Sequence, residues 1–174
     1  MKHSNIAFFI PHIGCPNKCS FCNQNSISGA NDIPHEKDVV DVLSNALKSL
    51  DEDKLSNTEI AFFGGSFTAI DRDYMLELLS AANRFVGKDK FSGIRISTRP
   101  DAIDDEVLAL LKQYGVTAID LGAQSMDGEV LEKNFRGHSV EDVVNASKLI
   151  QKYRFSLGLQ MMTGLYCDTA QKIN

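Results

Sequence analysis

The chain has 174 residues, of which 43% are hydrophobic and 24% charged, and its formal net charge is −5. These values are typical of a globular domain with a hydrophobic core. No apolar run approaches the roughly 20 residues that cross a bilayer. The Lys and Arg residues are scattered along the sequence, which argues against a strongly basic nucleic-acid-binding surface. The first apolar run, residues 6–10, is too short for a signal peptide, so we expect a cytoplasmic protein with reduced thiols and no membrane partner.

The first half of the chain alternates strand-like and helix-like segments. Residues 6–10 form a short apolar run typical of a buried strand, and residues 36–50 repeat apolar side chains at helical spacing. A second apolar run at residues 60–63 predicts another strand, which two glycines end. Residues 73–86 again have helical periodicity, so the pattern so far is strand, helix, strand, helix.

The second half continues the alternation and contains clear helix-start signals. Asp104 is a predicted N-cap, because Ile103 and Leu108 stand at the two positions of a hydrophobic staple around it. Ser139 and Asp142 have the spacing of a capping box. The remaining predicted elements are strands 94–97, 117–121 and 155–162 and helices 105–114 and 140–153.

Strands that alternate with helices imply right-handed crossovers and a parallel sheet, either a barrel or an open doubly wound sheet. In both architectures ligands bind beyond the carboxyl ends of the strands. Glycine-rich or polar segments follow all five predicted strands, which indicates one functional face. These segments are 15–22, 64–66, 97–101, 122–125 and 163–164.

Three of the four cysteines, Cys15, Cys19 and Cys22, lie within eight residues after the first strand. The residues between them are typical of a loop, which disfavours buried structural thiols. A zinc site needs a fourth ligand, and His12 could supply it, but a second cysteine pair is lacking. A ferredoxin-like carrier needs four cysteines, and Cys167 is the spare one. The remaining interpretation is an iron–sulfur cluster on three thiolates, with one iron open to a small molecule.

The C-x3-C-x2-C spacing, with Phe21 just before the third cysteine, resembles the radical S-adenosylmethionine superfamily. Five further segments resemble a branch that contains the radical domain of the Elongator catalytic subunit and relatives of oxygen-independent coproporphyrinogen oxidase. The segments are AFFGGSFTAI (61–70), STRPD (97–101), LGAQSMDGEVL (121–131), RGHS (136–139) and LQMMTGL (159–165). The resemblance implies an α/β fold, a partial parallel (β/α) barrel of the TIM-like type with five β/α units, open on the strand-five side.

The resemblance also implies the cofactors and their ligands. Cys15, Cys19 and Cys22 would bind a [4Fe–4S] cluster, and S-adenosylmethionine would chelate the fourth iron. Ser66 stands where the family usually has Glu, so its contact with the methionine amino group should be weaker. The cofactor-binding positions implied are Phe21, Gly64, Gly65, Ser66, Ser97, Gln124, Arg136 and Gln160. No catalytic residue is assigned, and His12 and His138 are interpreted as structural.

The function implied is reductive cleavage of S-adenosylmethionine to a deoxyadenosyl radical, which takes a hydrogen atom from a substrate. A flavodoxin or ferredoxin would supply the electron, and the substrate could be a tRNA base, a porphyrin-like molecule or another small metabolite. The alternative is an iron–sulfur binding or electron-transfer module without turnover.

The end of the sequence departs from the family pattern. Residues 164–169 read GLYCDT where relatives commonly read GLPGDT, and the sequence stops at Asn174. We therefore expect residues 1–174 to be a single core domain, C-terminally truncated, that lacks the last β/α unit and any C-terminal domain. Strand five would then be an apolar edge without Lys or Pro. We expect the C-terminal tail to cap it, a second copy to pair with it as a homodimer, or the edge to be poorly ordered.

Overall fold

The structure, a computed structural model, describes residues 3–10, 15, 19–22 and 33–173. The five strands are β1 (Ser4–Ile10), β2 (Thr58–Gly64), β3 (Gly93–Thr98), β4 (Val116–Gln124) and β5 (Ser156–Met161). The helices are α1 (Glu36–Ser49), α2 (Glu52–Leu55), α3 (Arg72–Asn83), α4 (Asp105–Gln113), α5 (Gly128–Lys133), α6 (Val140–Lys152) and α7 (Ala170–Ile173). His12 lies outside the described residues, so its interpretation stays a prediction.

All five strands are parallel and follow one another in chain order, β1-β2-β3-β4-β5, in a single sheet. Parallel neighbours need crossover connections, and helices of suitable length lie between successive strands. The predicted strand count, strand order and open partial barrel are therefore confirmed. In the part of the chain that the structure describes, no helix is both long and apolar enough to cross a membrane.

The predicted helix starts are confirmed at the level of individual hydrogen bonds. The Asp104 carboxylate accepts a hydrogen bond from the Val107 amide at 2.7 Å, and Ser139 and Asp142 form a reciprocal capping box. The helix predicted over 73–86 ends earlier, at Asn83, because the chain turns there and the Phe91 amide donates to the Phe85 carbonyl. Sequence reasoning missed α2, α5 and α7, which are too short to show periodicity.

One face of the sheet packs against the helices and forms the core. Phe62 on β2 is at its centre, where its ring stacks on that of Phe67 at 4.9 Å between centroids. The helices contribute the apolar stripes that the sequence predicted, so burial of this face holds the strand ends in place. Fully buried members of the core are Val39, Leu43, Ile60, Phe62, Leu78, Leu79, Ile94, Ile96, Leu108, Ile119 and Leu121.

The opposite face of the sheet, which is the interior of the partial barrel, contains an ion-pair network. The Arg95 guanidinium donates to the Glu59 carboxylate on β2 at 2.7 Å and to the Asp120 carboxylate on β4 at 2.8 Å. Gly158 on β5 leaves room for it, because a Cβ there would lie 2.3 Å from an Asp120 oxygen. The network thus links three neighbouring strands below the predicted functional face.

Strand β5 is the edge of the described sheet and pairs there only with β4. Leu159 and Met161 on this strand are 48% and 50% exposed, and Met162 and Tyr166 beyond it are also exposed. No described residue after β5 adds a further strand. The expected apolar edge is thus present, and its pairing with a second copy stays a prediction.

Candidate functional site

The carboxyl ends of all five strands lie at one edge of the sheet, and the predicted site residues follow them. Cys15, Cys19 and Cys22 come after β1, and all three are unpaired thiols. Cys15 is exposed, whereas the other two are partly buried. The Cys22 amide donates to the Cys19 carbonyl at 3.1 Å, which closes a turn between these two cysteines.

The glycine pair at the end of β2 is explained by a close approach between two strands. Gly64 has a φ of +116°, and a Cβ there would lie 2.5 Å from the Ile10 carbonyl oxygen, so a side chain does not fit. The Gly65 amide donates to the same Ile10 oxygen at 2.8 Å. Gly64 and Gly65 therefore fix the end of β1 immediately before the cysteine segment.

Ser66, predicted to contact the cofactor, has its side chain turned into the fold. The side chain is fully buried; its hydroxyl lies 2.9 Å from that of Thr98 and accepts a hydrogen bond from the Arg99 amide at 3.2 Å. Ser66 thus joins the end of β2 to the end of β3. The Ser66 main chain lies near the Cys15 thiol, where it opposes the rise that burial causes in the pKa of that thiol.

Arg99 is a buried cation beside the cysteines that sequence reasoning did not single out. It donates two 2.8 Å hydrogen bonds to the Asp101 carboxylate and a third, also 2.8 Å, to the Arg136 carbonyl. Burial alone would lower the pKa of Arg99, but Asp101 and the nearby Cys15 and Cys19 raise it above its ordinary value. Partial desolvation raises the pKa of the Cys15 thiol, and the Arg99 charge opposes that change.

Arg136 is predicted to contact the cofactor carboxylate, and it lies directly against the cysteine segment. Its Nη1 donates to the Cys19 sulfur at 3.1 Å and its Nη2 donates to the Gly122 carbonyl at 2.6 Å. Its guanidinium carbon is 5.8 Å from the centre of the Phe21 ring. The side chain is buried, and its Nε has no hydrogen-bond partner among the described residues.

The end of β4 is held by the Arg-Gly-His segment at 136–138. Arg136 binds the Gly122 carbonyl, and the His138 ring, through Nε2, lies 3.2 Å from the next carbonyl, that of Ala123. Burial, assisted by the Arg136 charge, lowers the pKa of His138. Gln124 follows with a φ of +70°, and a Cβ on Gly122 would lie within 3.5 Å of both the Gln124 and the Arg136 side chains. Gln124 and Arg136 are therefore neighbours, and the interpretation of His138 as structural stays a prediction.

Two predicted positions lie apart from this cluster of contacts. Ser97 is on the interior face of the barrel, two residues after Arg95, and its buried hydroxyl has no partner among the described residues. Gln160 is an exposed residue of the edge strand β5. The structure gives neither of them a contact with the cysteines.

Asn134 is a residue that sequence reasoning missed, although it is the C-cap of α5. Its carbonyl accepts a hydrogen bond from the Ser20 amide at 3.2 Å, and its Oδ1 accepts one from the Ser20 hydroxyl at 2.8 Å. Ser20 lies between two of the predicted cluster ligands. An Asn just after a helical EVLEK run was the available signal, but its partner 114 residues away was not readable from the sequence.

The residues present fit an iron–sulfur cluster. Thiolates are the usual ligands of such clusters, and the guanidinium groups of Arg99 and Arg136 place positive charge beside the cysteines, which suits a negatively charged group there. Within residues 3–10, 15, 19–22 and 33–173, no three His, Cys, Asp or Glu side chains are arranged to hold a single metal ion. Cys15, Cys19 and Cys22 are among these side chains, so the fit to a cluster rests on the chemistry of the three thiols, and they are the residues that would hold it.

Comparisons with known proteins agree with the fold. The family model described as the radical SAM superfamily matches residues 9–173. The tRNA uridine(34) acetyltransferase of Dehalococcoides mccartyi is 22% identical over 96% of this chain and 43% of its own length. The heme chaperone HemW of Bacillus subtilis is 27% identical over 63% of this chain and 30% of its own length. The chain thus spans less than half of these two relatives.

Solved structures share the same architecture. The structure of Methanocaldococcus infernus Elp3 superposes with a TM-score of 0.66 at 20% identity, over 93% of this chain and 38% of that one. The methyltransferase TsrM of Kitasatospora setae, solved with cobalamin and a [4Fe-4S] cluster bound, has a TM-score of 0.61 at 17% identity, over 94% of this chain and 31% of that one. At these identities the likeness establishes the fold.

Proposed function

The chain belongs to the radical SAM superfamily, and from this premise we propose that it is the radical core of an enzyme that cleaves S-adenosylmethionine reductively. S-Adenosylmethionine and a [4Fe–4S] cluster are the cofactors that membership brings. The observation that carries the proposal is the contact of the Arg136 guanidinium, 3.1 Å away, with the sulfur of Cys19. It joins two segments 117 residues apart at the carboxyl ends of the strands, where parallel β/α folds bind their ligands.

In this proposal each part of the site has a distinct task. Cys15, Cys19 and Cys22 would hold the cluster, which when bound would supply the electron for reductive cleavage of S-adenosylmethionine. Gly64 and Gly65 fix the strand end from which the cysteine segment starts. Gln124, Ser97 and Gln160 are the polar residues at or near the ends of β4, β3 and β5 proposed to face the cofactor.

Arg136 and Arg99 supply positive charge at the same end of the sheet. Arg136 has a buried Nε without a partner among the described residues, a donor that a bound carboxylate could use. The Arg99 guanidinium donates a hydrogen bond to the Arg136 carbonyl, and the Asp101 carboxylate, which also accepts from Arg99, holds that guanidinium in place. The pair therefore keeps two buried cations beside the cysteines.

The experiment that tests the proposed function is anaerobic reconstitution followed by reduction with dithionite in the presence of S-adenosylmethionine. We expect about four irons and four sulfides per chain and the formation of 5′-deoxyadenosine. Cluster uptake without deoxyadenosine would favour the electron-transfer alternative. Stoichiometric zinc without iron uptake would contradict both.

The substrate and the reductant are proposed from chemistry rather than from a contact. A flavodoxin or ferredoxin is a suitable electron donor, and the proposed substrate is a tRNA base or a small metabolite. With a net charge of −5 and scattered Lys and Arg, this chain alone should bind RNA weakly. Substrate-dependent consumption of S-adenosylmethionine, measured with tRNA and with metabolite pools, would identify the class.

Replacing Arg136 by Ala should weaken S-adenosylmethionine binding by about 1.5–3 kcal/mol, the scale of a hydrogen bond to a charged group. Arg136→Lys should recover part of this loss, because a point charge cannot reproduce the planar fork of the guanidinium. Isothermal titration calorimetry of the reconstituted proteins measures the effect. Arg72→Ala is the matched control, since Arg72 forms an exposed ion pair with Glu106 far from the cysteines in sequence. Equal affinities of Arg136→Ala and Arg72→Ala would show that Arg136 is not a cofactor contact.

The exposed edge of β5 is proposed to pair with a second copy of the chain. Its apolar side chains, Leu159 and Met161, are about half exposed, and no Lys or Pro blunts the strand. Replacing Met161 by Lys should therefore shift a dimer to monomer in sedimentation velocity measurements. Val144→Lys, at an exposed apolar position of α6, serves as the control and should leave the assembly unchanged. A wild-type chain that sediments as a monomer at high concentration would contradict the pairing.

A further inference from the structure

Asn134 is almost fully buried, and its side chain and main chain bind three separate segments. Its Oδ1 and its carbonyl oxygen both accept hydrogen bonds from Ser20, from the hydroxyl and from the amide. Its Nδ2 donates to the carbonyls of Val130 at 2.7 Å and of Tyr166 at 2.9 Å. Both amide protons and one side-chain acceptor site are thus satisfied, which fixes the orientation of the group.

These contacts exceed what a helix end requires. The bond to Val130 caps α5, and that alone would complete the C-terminal turn. The bonds to Ser20 take no part in the helix and reach the segment between Cys19 and Cys22. An Asn that only capped its helix would not need these two additional partners.

The neighbouring contact of Arg136 acts on the same segment. Arg136, two residues after Asn134, donates to the Cys19 sulfur, while Asn134 holds Ser20, the next residue along. Asn134 and Arg136, at the end of α5, therefore bind two consecutive residues, Cys19 and Ser20, through three hydrogen bonds. This arrangement fixes the segment at its centre, between Cys19 and Cys22.

The third partner of Asn134 brings the loop after β5 to the same point. The Tyr166 carbonyl accepts a hydrogen bond from the Asn134 Nδ2. The loop around Tyr166 is closed by a hydrogen bond from the Asp168 amide to the Leu165 carbonyl at 2.9 Å. Cys167, which follows Tyr166, has a φ of +64°. One buried amide thus connects the cysteine segment to a loop that is more than 140 residues further along the sequence.

We propose that Asn134 is a positioning residue that pre-orders residues 19–22 for the cluster and couples them to the loop at 164–168. The proposal rests on the proposed function in that the cluster is taken to bind Cys19 and Cys22. Ordering these ligands beforehand removes part of the entropy cost of binding, so the cluster should enter the ordered segment faster. Because the same amide binds Tyr166, release of one loop should loosen the other.

Hydrogen exchange of the cluster-free chain tests the ordering directly, with mass spectrometry of peptides that contain residues 19–22 and 164–168. Ser20→Ala removes only the hydroxyl bond and should speed exchange about fivefold at 19–22, the change expected for one hydrogen bond, with a smaller increase at 164–168 through the shared amide. Asn134→Asp keeps the acceptors but loses both donors, and should speed exchange in both peptides. Asn145→Asp, at an exposed position of α6, is the matched control and should change neither.

Cluster uptake tests the consequence, as the rate of iron–sulfur absorbance growth during anaerobic reconstitution. We expect uptake about fivefold slower in Ser20→Ala and slower again in Asn134→Asp, at unchanged final iron content in Ser20→Ala. Ser20→Thr keeps a hydroxyl and should restore the wild-type rate, which a general loss of stability would not do. If Asn134→Asp fails to fold, the comparison of Ser20→Ala with Ser20→Thr still tests whether the contact with Asn134 positions the cluster ligands.

The outcomes separate this inference from the proposed function. A wild-type chain that takes up no iron would overturn the proposed function, and the pre-ordering proposal for the cluster falls with it, whatever the exchange data show. A wild-type chain that takes up iron, with exchange and uptake unchanged in both Ser20→Ala and Asn134→Asp, would overturn the positioning role alone.

Discussion

Replacing Cys19 by Ser is expected to abolish formation of 5′-deoxyadenosine. Three thiolates are the proposed ligands of the cluster, and a Ser hydroxyl stays protonated at neutral pH, so the substitution leaves only two. The same change removes the sulfur that accepts a hydrogen bond from Arg136 and leaves that buried guanidinium with one donor fewer engaged. Loss of an outer-shell partner alone costs about 10–100-fold in metal-site function, so loss of a ligand should exceed about 100-fold.

The matched control for this prediction is Cys167→Ser. Cys167 is the fourth unpaired cysteine, partly buried in the loop that Asn134 holds, and it would be needed only if the cluster had four protein ligands. With three ligands, Cys167→Ser should keep full iron content and deoxyadenosine formation. Iron, sulfide and deoxyadenosine are measured for both variants after the same reconstitution. Retained activity in Cys19→Ser, or cluster loss in Cys167→Ser, would contradict the three-thiolate site.

The fold was predictable because each element has a local signal. The apolar strand at residues 60–63 and the periodic helix at 36–50 are recognisable within their own windows, and Asp104 caps its helix within three residues. Because crossovers between parallel strands are right-handed and connections are short, a chain of alternating strands and helices can adopt only a few sheet topologies. What the sequence did not reveal were the short helices α2, α5 and α7, whose four, six and four residues are too few to establish a period.

The site was predictable in residue type but not in geometry. The cysteine spacing and the glycine pair are local patterns, and the structure explains the glycines by the approach of Gly64 to Ile10. Ser66 is at the expected strand end, yet its hydroxyl binds Thr98 and the Arg99 amide rather than pointing outward. Such choices depend on neighbours that tertiary folding brings in, 32 and 33 residues away, and no local pattern contains that information.

The second large effect is expected from Gly64→Ala. At a φ of +116° an L side chain is strained by about 1–3 kcal/mol, and its Cβ would lie 2.5 Å from the Ile10 oxygen, a backbone atom that cannot rotate away. Relief of that clash requires β1 and β2 to separate, which would break the bond from the Gly65 amide to Ile10. We therefore expect the free energy of unfolding to fall by about 3 kcal/mol or more.

Thermal unfolding measures this loss, and Gly128→Ala is its control. For a chain of this length, a loss of about 3 kcal/mol corresponds to a melting temperature lower by roughly 6–12 °C. Gly128 is the first residue of α5, and a Cβ added there would meet no neighbouring atom within 4 Å, so Ala should be neutral or stabilising by up to about 1 kcal/mol. Because Ile10 is the last residue of β1 before the cysteine segment, Gly64→Ala should also reduce iron uptake, whereas Gly128→Ala should not. Equal melting temperatures of the two variants would show that β1 and β2 accommodate a side chain at Gly64, and the glycine would then be a simple turn residue.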